Sequence, residues 1–287
     1  MKETELRRPS WLRKQMPMTA GVMERKALIA GSGLHTVCES AKCPNLSECF
    51  RAGTATFLIM GNQCTRNCGF CAVDHGAPGP LDAGEGKRVA EQVKSMSIRY
   101  AVITSVTRDD LPDGGAGHFA RVVADLREAL PDVGIELLVP DFQGDPGAIA
   151  RVAALPIQVF GHNLETVSSL YPAVRQGASY ARSLGVLRAA RASCAGSIKS
   201  GIMVGLGETP EELAGLFRDL AAAGVSILTI GQYLRPRWDN APVRRYVPPE
   251  EFAELALSAQ RMGIPVVESG PYVRSSYHAE SVYHKKI

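Results

Sequence analysis

The chain has 287 residues, 45% of them hydrophobic and 21% charged, with a formal net charge of +3. That length holds one large α/β domain or two ordinary ones, and the composition is that of a soluble globular protein. No apolar run reaches the roughly 18 residues of a membrane span, and the mild charge gives no case for nucleic acid.

The start, "MKETELRRPSWLRKQMP", is charged throughout and has no apolar core of a secretory signal. Glu3 and Glu5 argue against a transit peptide. A cytoplasmic setting is expected, where thiols stay reduced and clustered cysteines bind metal more often than they cross-link. Arg7, Arg8, Arg13, Lys14, Arg25 and Lys26 gather near the start. They read as a solvated arm, with a docking surface for an acidic protein as the sharper alternative.

Residues 1–53 form an expected irregular extension that packs on the rest and carries the spacing C-x4-C-x5-C at Cys38, Cys43 and Cys49. From residue 54 to 270, β-branched runs alternate with stretches of helical period. Strands are expected at 54–60, 100–106, 135–140, 157–161, 198–205, 226–234 and 264–269. Helices are expected near 86–97, 117–130, 146–154, 164–170, 179–194, 210–223 and 249–262. "ETPEELAGLFRDLAAAG" is the clearest, with Thr209 as N-cap, Pro210 in the first turn and Gly224 past the end. Strands alternating with helices imply a parallel sheet with right-handed crossovers. Six or seven units fall short of the eight of a closed barrel. The expected fold is an α/β, partial (β/α)6-type barrel open on one side, with a doubly wound sheet as the alternative. Residues 271–287 form a C-terminal segment closing over the barrel mouth.

"CTRNCGFC" follows the first strand with the spacing C-x3-C-x2-C at Cys64, Cys68 and Cys71. In a (β/α) barrel that is the catalytic end of the strand. Three thiolates leave one iron of a four-iron cluster without a cysteine, and an open metal position is what a catalytic site keeps. Zinc with a distant fourth ligand, or a plain electron carrier, are the alternatives.

This triplet resembles the radical S-adenosylmethionine superfamily, and "GIMVGLGE" (201–208) is similar to that superfamily's adenine-side motif. The resemblance implies a [4Fe–4S] cluster on Cys64, Cys68 and Cys71 whose open iron is chelated by S-adenosylmethionine. Reductive cleavage of the sulfonium then leaves a 5′-deoxyadenosyl radical that takes hydrogen from unactivated carbon. "GLHTVCESAKCPNLSEC", "TRDDLPDGGAGHF", "ELLVPDF", "HNLETV", "YARSLGVL", "GLGETPEE", "QYLRP" and "RSSYHAE" resemble, in order, the lipoyl synthase family within it.

That resemblance implies insertion of two sulfur atoms, at carbons six and eight, into an octanoyl chain on a carrier lysine. Sulfur would come from a second [4Fe–4S] cluster on Cys38, Cys43 and Cys49, with Ser276, or its neighbour Ser275, as fourth ligand. The implied partners are an octanoylated lipoyl carrier domain or the H protein of the glycine cleavage system, a low-potential electron donor and an iron–sulfur cluster carrier. Asn163, Glu165, Arg182, Gly205 and Glu208 are the candidates for S-adenosylmethionine contacts. Asp109 and Asp110 read as turn residues with a possible ligand role, His35 and His75 as structural, and Cys194 as a buried small hydrophobe. Arg235 and Arg237 are candidate carrier contacts, with surface solvation the blander reading. Phe50, Asn62 and the missing histidine after "QYLRP" depart from the family's usual pattern, away from the implied cluster ligands. The alternatives are another radical enzyme transferring sulfur or a methylthio group, and a non-catalytic iron–sulfur protein.

Overall fold

The computed structural model describes residues 6–13, 19–51 and 54–285; Lys14 of the basic arm lies outside them. Every expected strand forms, and seven parallel strands make the wall. After α1 (Ala20–Gly31), β1 (His35–Thr36), α2 (Val37–Ser40) and α3 (Leu46–Arg51), the barrel begins with β2 (Thr56–Ile59). A small clip of β3 (Gln63–Cys64) and β4 (Asp74–His75) follows, then α4 (Glu85–Ser95), β5 (Tyr100–Ser105), α5 (Ala116–Ala129), β6 (Gly134–Leu138), α6 (Pro146–Ala153) and β7 (Val159–Gly161). The second half holds α7 (Tyr171–Val174), α8 (Tyr180–Ser193), β8 (Ser197–Val204), α9 (Pro210–Ala222), β9 (Ile227–Gln232), α10 (Pro249–Arg261), β10 (Val266–Gly270) and α11 (Ala279–His284). The sheet runs β1-β2-β5-β6-β7-β8-β9-β10, parallel except for β1 against β2, and its edges are β1 and β10. This is the open, partial barrel that the alternation implies.

Helix ends are set by local chemistry. Thr209 and Glu212 form a reciprocal capping box at the start of α9, with Pro210 in the first turn, and the Asp145 side chain caps α6. Two expectations fail. The stretch 164–170 is not a helix: Glu165 continues the pairing with β8, giving its N–H to Gly201 O and accepting from Met203 N. Only a 3-10 turn at Ser168–Leu170 and the short α7 follow. Residues 1–53 are not irregular throughout, because α1 spans twelve residues and buries Val22 and Ile29 in the main core. Two buried positions are too few to set a visible apolar stripe.

Alternation along the strands separates two packing faces. In β5, Ala101 and Ile103 join the core under the helices, whereas Tyr100 and Val102 face the lumen and meet Ala279 and Tyr283 of α11. Val159, Ile227 and Val266, at the starts of their strands, likewise pack on Val282. The C-terminal segment thus fills the lumen, with α11 at the base. Above α11, Lys199 Nζ pairs with Glu136 Oε1 at 2.7 Å, both side chains buried, and Tyr100 OH donates to Glu136.

Higher up, the segment lies on glycines. A Cβ at Gly201 would meet Thr229, Asn163 and Ser275, and one at Gly231 would collide with the Val273 carbonyl. We expect Gly231→Ala to destabilise the chain by about 1–3 kcal/mol, because backbone cannot yield as a side chain does. The check is a lowered melting temperature with faster tryptic cleavage after Arg274; an unchanged melt would show that this contact does not hold the segment.

Candidate active site

The first triplet sits at the C-terminal end of β2, in a loop braced from several elements. The β3–β4 clip closes it, with Cys64 opposite His75 and Gly76 N donating to Cys64 O. Gly69 exchanges backbone bonds with Val174 and Ala241, Asn240 Nδ2 donates to Cys71 O at 3.0 Å, and Arg237 reaches Ala72 O and Asp74. Backbone N–H groups of Arg66 and Thr107 point at Cys64 Sγ (3.4 and 3.3 Å), and that of Val73 at Cys71 Sγ (3.4 Å). Such donors favour a charged sulfur. Burial works the other way, pushing the Cys68 thiol up to about 12 and the Cys71 thiol up to about 11. The thiolate therefore needs a bound cation to form here, which suits metal ligation rather than a free nucleophile.

The second triplet lies 15 or more residues upstream in sequence, on short elements. Thr36 caps α2, which carries Cys38; Cys43 N bonds Cys38 O; and Cys49 is on α3. Cys38, Cys43 and Cys49 line one small cavity together with Arg274, Ser276 and Tyr277. Burial pushes the Cys38 thiol up to about 11. Three long-range bonds tie the C-terminal segment to this corner: Asn45 Nδ2 to Tyr272 O, Thr56 Oγ1 to Ser276 Oγ, and Tyr277 OH to Glu48. Ser275 turns elsewhere and accepts from Asn163 Nδ2 at 2.6 Å. Among the described residues no three His, Cys, Asp or Glu side chains converge on a point that suits one ion. An all-thiol donor set with a hydroxyl suits the wider spread of an iron–sulfur cluster. A larger concavity, of about 560 Å³, opens between α7 and α8 and is lined by no thiol.

The remaining expected residues separate into two groups. Asn163, at the end of β7, bonds both Ser275 and Glu165, and Glu165 is buried close enough to Cys68 and Cys71 to oppose their ionisation. Glu165 holds a left-handed φ of 67°, a strained conformation for a non-glycine residue. Burial raises its own pKa. Gly205 and Glu208 instead satisfy each other: the Glu208 carboxylate accepts from the N–H groups of Gly205, Leu206 and Gly207. Gly205, with φ of 97°, leaves no room for a Cβ against Gln232 and the Arg245 carbonyl. Their visible work is to shape the loop after β8. Arg182 pairs with Asp141 at 3.1 Å.

Several residues with functional geometry gave no signal in sequence. Arg66, inside the first triplet, is almost fully buried and holds Asp109 (2.6 Å) and Asp141 (2.7 Å), one from the loop after β5 and one after β6. Arg175 donates to Asn163 O, Tyr171 OH and Ser183 Oγ. Asp109 is thus an ion-pair partner, Asp110 pairs with Arg108, Cys194 is buried, and Arg235 lies over the Trp238 ring. His35 and His75 sit in the short strands β1 and β4.

Burial alone would raise the Asp141 carboxyl, but Arg66 outweighs it and holds the group at about 2. A depressed carboxyl contributes stability above its unfolded value near 4 and loses it as pH falls through about 2. Arg66→Met should cost about 3–5 kcal/mol at neutral pH, since it leaves a buried carboxylate underpaired. That deficit should shrink on acidification as Asp141 protonates. Urea midpoints of both chains at neutral and mildly acidic pH provide the check; a pH-independent deficit would assign it to something other than this pair.

Residues 58–220 match the Radical SAM superfamily. The chain is 50% identical over 279 residues to a lipoyl synthase of Nitratidesulfovibrio vulgaris, covering 97% of this chain and 93% of that protein. It is 54% identical over 273 residues to a lipoyl synthase of Rubrobacter xylanophilus, covering 95% and 85% of the two. Among solved structures, the FeFe-hydrogenase maturase HydG of Carboxydothermus hydrogenoformans superposes with a TM-score of 0.59 at 14% identity, over 80% of this chain and 66% of that one. Methylornithine synthase does so with 0.58 at 16%, over 74% and 63%. At those identities the solved structures speak for the partial barrel alone, while the sequence relatives span nearly the whole chain. The chain belongs to the lipoyl synthase family of the radical S-adenosylmethionine superfamily.

Proposed function

We propose that the two triplets divide one reaction, the insertion of two sulfur atoms at carbons six and eight of an octanoyl group amide-linked to a carrier lysine. Bound at Cys64, Cys68 and Cys71, a [4Fe–4S] cluster with S-adenosylmethionine supplies a 5′-deoxyadenosyl radical able to take hydrogen from unactivated carbon. Around that triplet the chain's own residues do fixed work. The N–H groups of Arg66, Thr107 and Val73 support the thiolates, and Arg66 ties the loop to the ends of two further strands. Asn163 and Glu165 face the same space and suit the polar end of the cosubstrate, while Glu208 holds the loop after β8 in shape.

Cys38, Cys43, Cys49 and Ser276 hold the second cluster, the sulfur donor, which is consumed as a substrate. The observation that carries this reading is the cavity that these four side chains line together, although Ser276 comes from the opposite end of the chain. Ser276 is favoured over Ser275 because Ser275 is engaged by Asn163 on the other side. A serine oxygen is a harder ligand than a thiolate and suits an iron that is later released. The protein substrate is an octanoylated lipoyl carrier domain or an H protein. A low-potential electron donor and an iron–sulfur carrier that rebuilds the second cluster complete the set of partners. A cytoplasmic setting fits the seven thiols, and among the described residues no helix is long and apolar enough to cross a membrane.

Iron and sulfide content after anaerobic reconstitution tests the division. About eight irons should fall to about four in a Cys64/Cys68/Cys71 triple alanine chain. Cys38→Ala, Cys43→Ala or Cys49→Ala should abolish lipoyl product while 5′-deoxyadenosine still forms. Ser276→Ala should lower second-cluster iron and product far more than Ser275→Ala does. Lipoyl product from any of the three cysteine variants would overturn the donor assignment.

A further inference from the structure

Arg274 is the one charged residue lining the second cavity, and the donor reading leaves it without a role. Other buried arginines have evident partners: Arg66 and Arg108 hold carboxylates, and Arg175 holds a carbonyl and two hydroxyls. Arg274 lines the cavity beside Cys38, Cys43, Cys49 and Ser276, and its Nη1 donates to the neighbouring Val273 carbonyl at 2.7 Å. Among the described residues no carboxylate lies within ion-pair distance of it. The β9 wall hems it in, since a Cβ on Gly231 would stand 3.2 Å from Nη1. A half-buried cation with no acid beside it suits a site where something else negative faces it. The negative groups at hand are the thiolates and whatever they bind.

We propose that Arg274 is the charge-compensating residue of the donor site, facing the anionic cluster held by Cys38, Cys43, Cys49 and Ser276 and stabilising its electron-richer state. The inference rests on the donor reading above and adds a reason for a guanidinium at that corner. When a substrate carbon radical attacks a cluster sulfide, one carbon–sulfur bond forms. The radical's electron and one electron of a sulfide lone pair make that bond, and the sulfide's other electron passes to iron. Iron is reduced by one electron, no proton moves, and no group leaves in that step. The arriving radical is neutral, so the net charge is unchanged and the cluster stays anionic through its thiolate ligands while iron becomes electron-richer; that standing negative charge is what a nearby cation compensates. Net charge and donors near the sulfurs are among the quantities that set the potential of such clusters.

The test uses the Cys64/Cys68/Cys71 triple alanine chain, in which the second triplet's cluster is alone. Arg274→Gln and Arg274→Lys are compared in it by iron content after anaerobic reconstitution and by an EPR-monitored redox titration. The expected result is that Arg274→Gln loses most of the iron, or keeps it with the one-electron potential moved to more negative values, while Arg274→Lys stays near the parent. Equal loading and an unmoved potential in Arg274→Gln would overturn the proposal. So would equal failure of the lysine variant, because charge would then not be what matters. A parent triple variant without iron would overturn the donor reading itself, which separates the two failures.

Discussion

Seven parallel strands do not close a barrel, so the lumen must be filled by something other than the wall. Here the chain's own C-terminal segment fills it. Ala279, Val282 and Tyr283 supply the apolar layer at the base that opposing strands supply in a closed barrel. Higher up, Gly201 and Gly231 leave room for the backbone and side chains of 273–275. Glycine weakens a strand interior, and its presence on both β8 and β9 follows from this close approach. The buried Lys199–Glu136 pair also belongs to the lumen, where each charge has a partner in place of water. One consequence is geometric: filling the lumen brings residues 272–277 against residues 38–56. The donor corner is therefore assembled from both ends of the chain.

The two triplets are held in different ways, and the difference suits their proposed tasks. The first is fixed by three N–H donors to sulfur, by carbonyl anchors from Asn240 and Arg237, and by an arginine shared between two carboxylates. A radical source has to keep its reacting atoms within a small fraction of an ångström over many turnovers. The second rests on short helices and on three side-chain bonds to the C-terminal segment. A site that loses its metal and receives it again gains from a ligand on a segment whose anchor, α11, does not depend on the cluster. On the proposed assignment, Ser276 would lose its iron without the fold losing its plug.

Much of this was legible along the chain. The strands are buried on both faces and read as β-branched runs, and the clearest helix announces itself through Thr209, Pro210 and Gly224. The six clustered cysteines stand out by spacing alone. What stayed hidden is tertiary. Glu165 leaves the helical pattern because β8 offers its backbone a partner 36 or more residues away in sequence. Arg66 meets Asp109 and Asp141 across separations of 43 and 75 residues, so no local pattern reports the pairs. Arg182 shows the same limit: a charge shows its sign in sequence but not its partner, here Asp141.

Ser275 and Ser276 show the limit most sharply. They are chemically identical and adjacent, and nothing in the letters divides them. The backbone turn that carries them sends one hydroxyl to Asn163, beside Glu165 and the first triplet, and the other to Thr56, in the cavity of the second. One dipeptide therefore touches both halves of the site. Strand β2 joins the same two places along the chain, from Thr56 in the second cavity to the loop of the first triplet, so the dipeptide and the strand link the two triplets from opposite ends of the sequence.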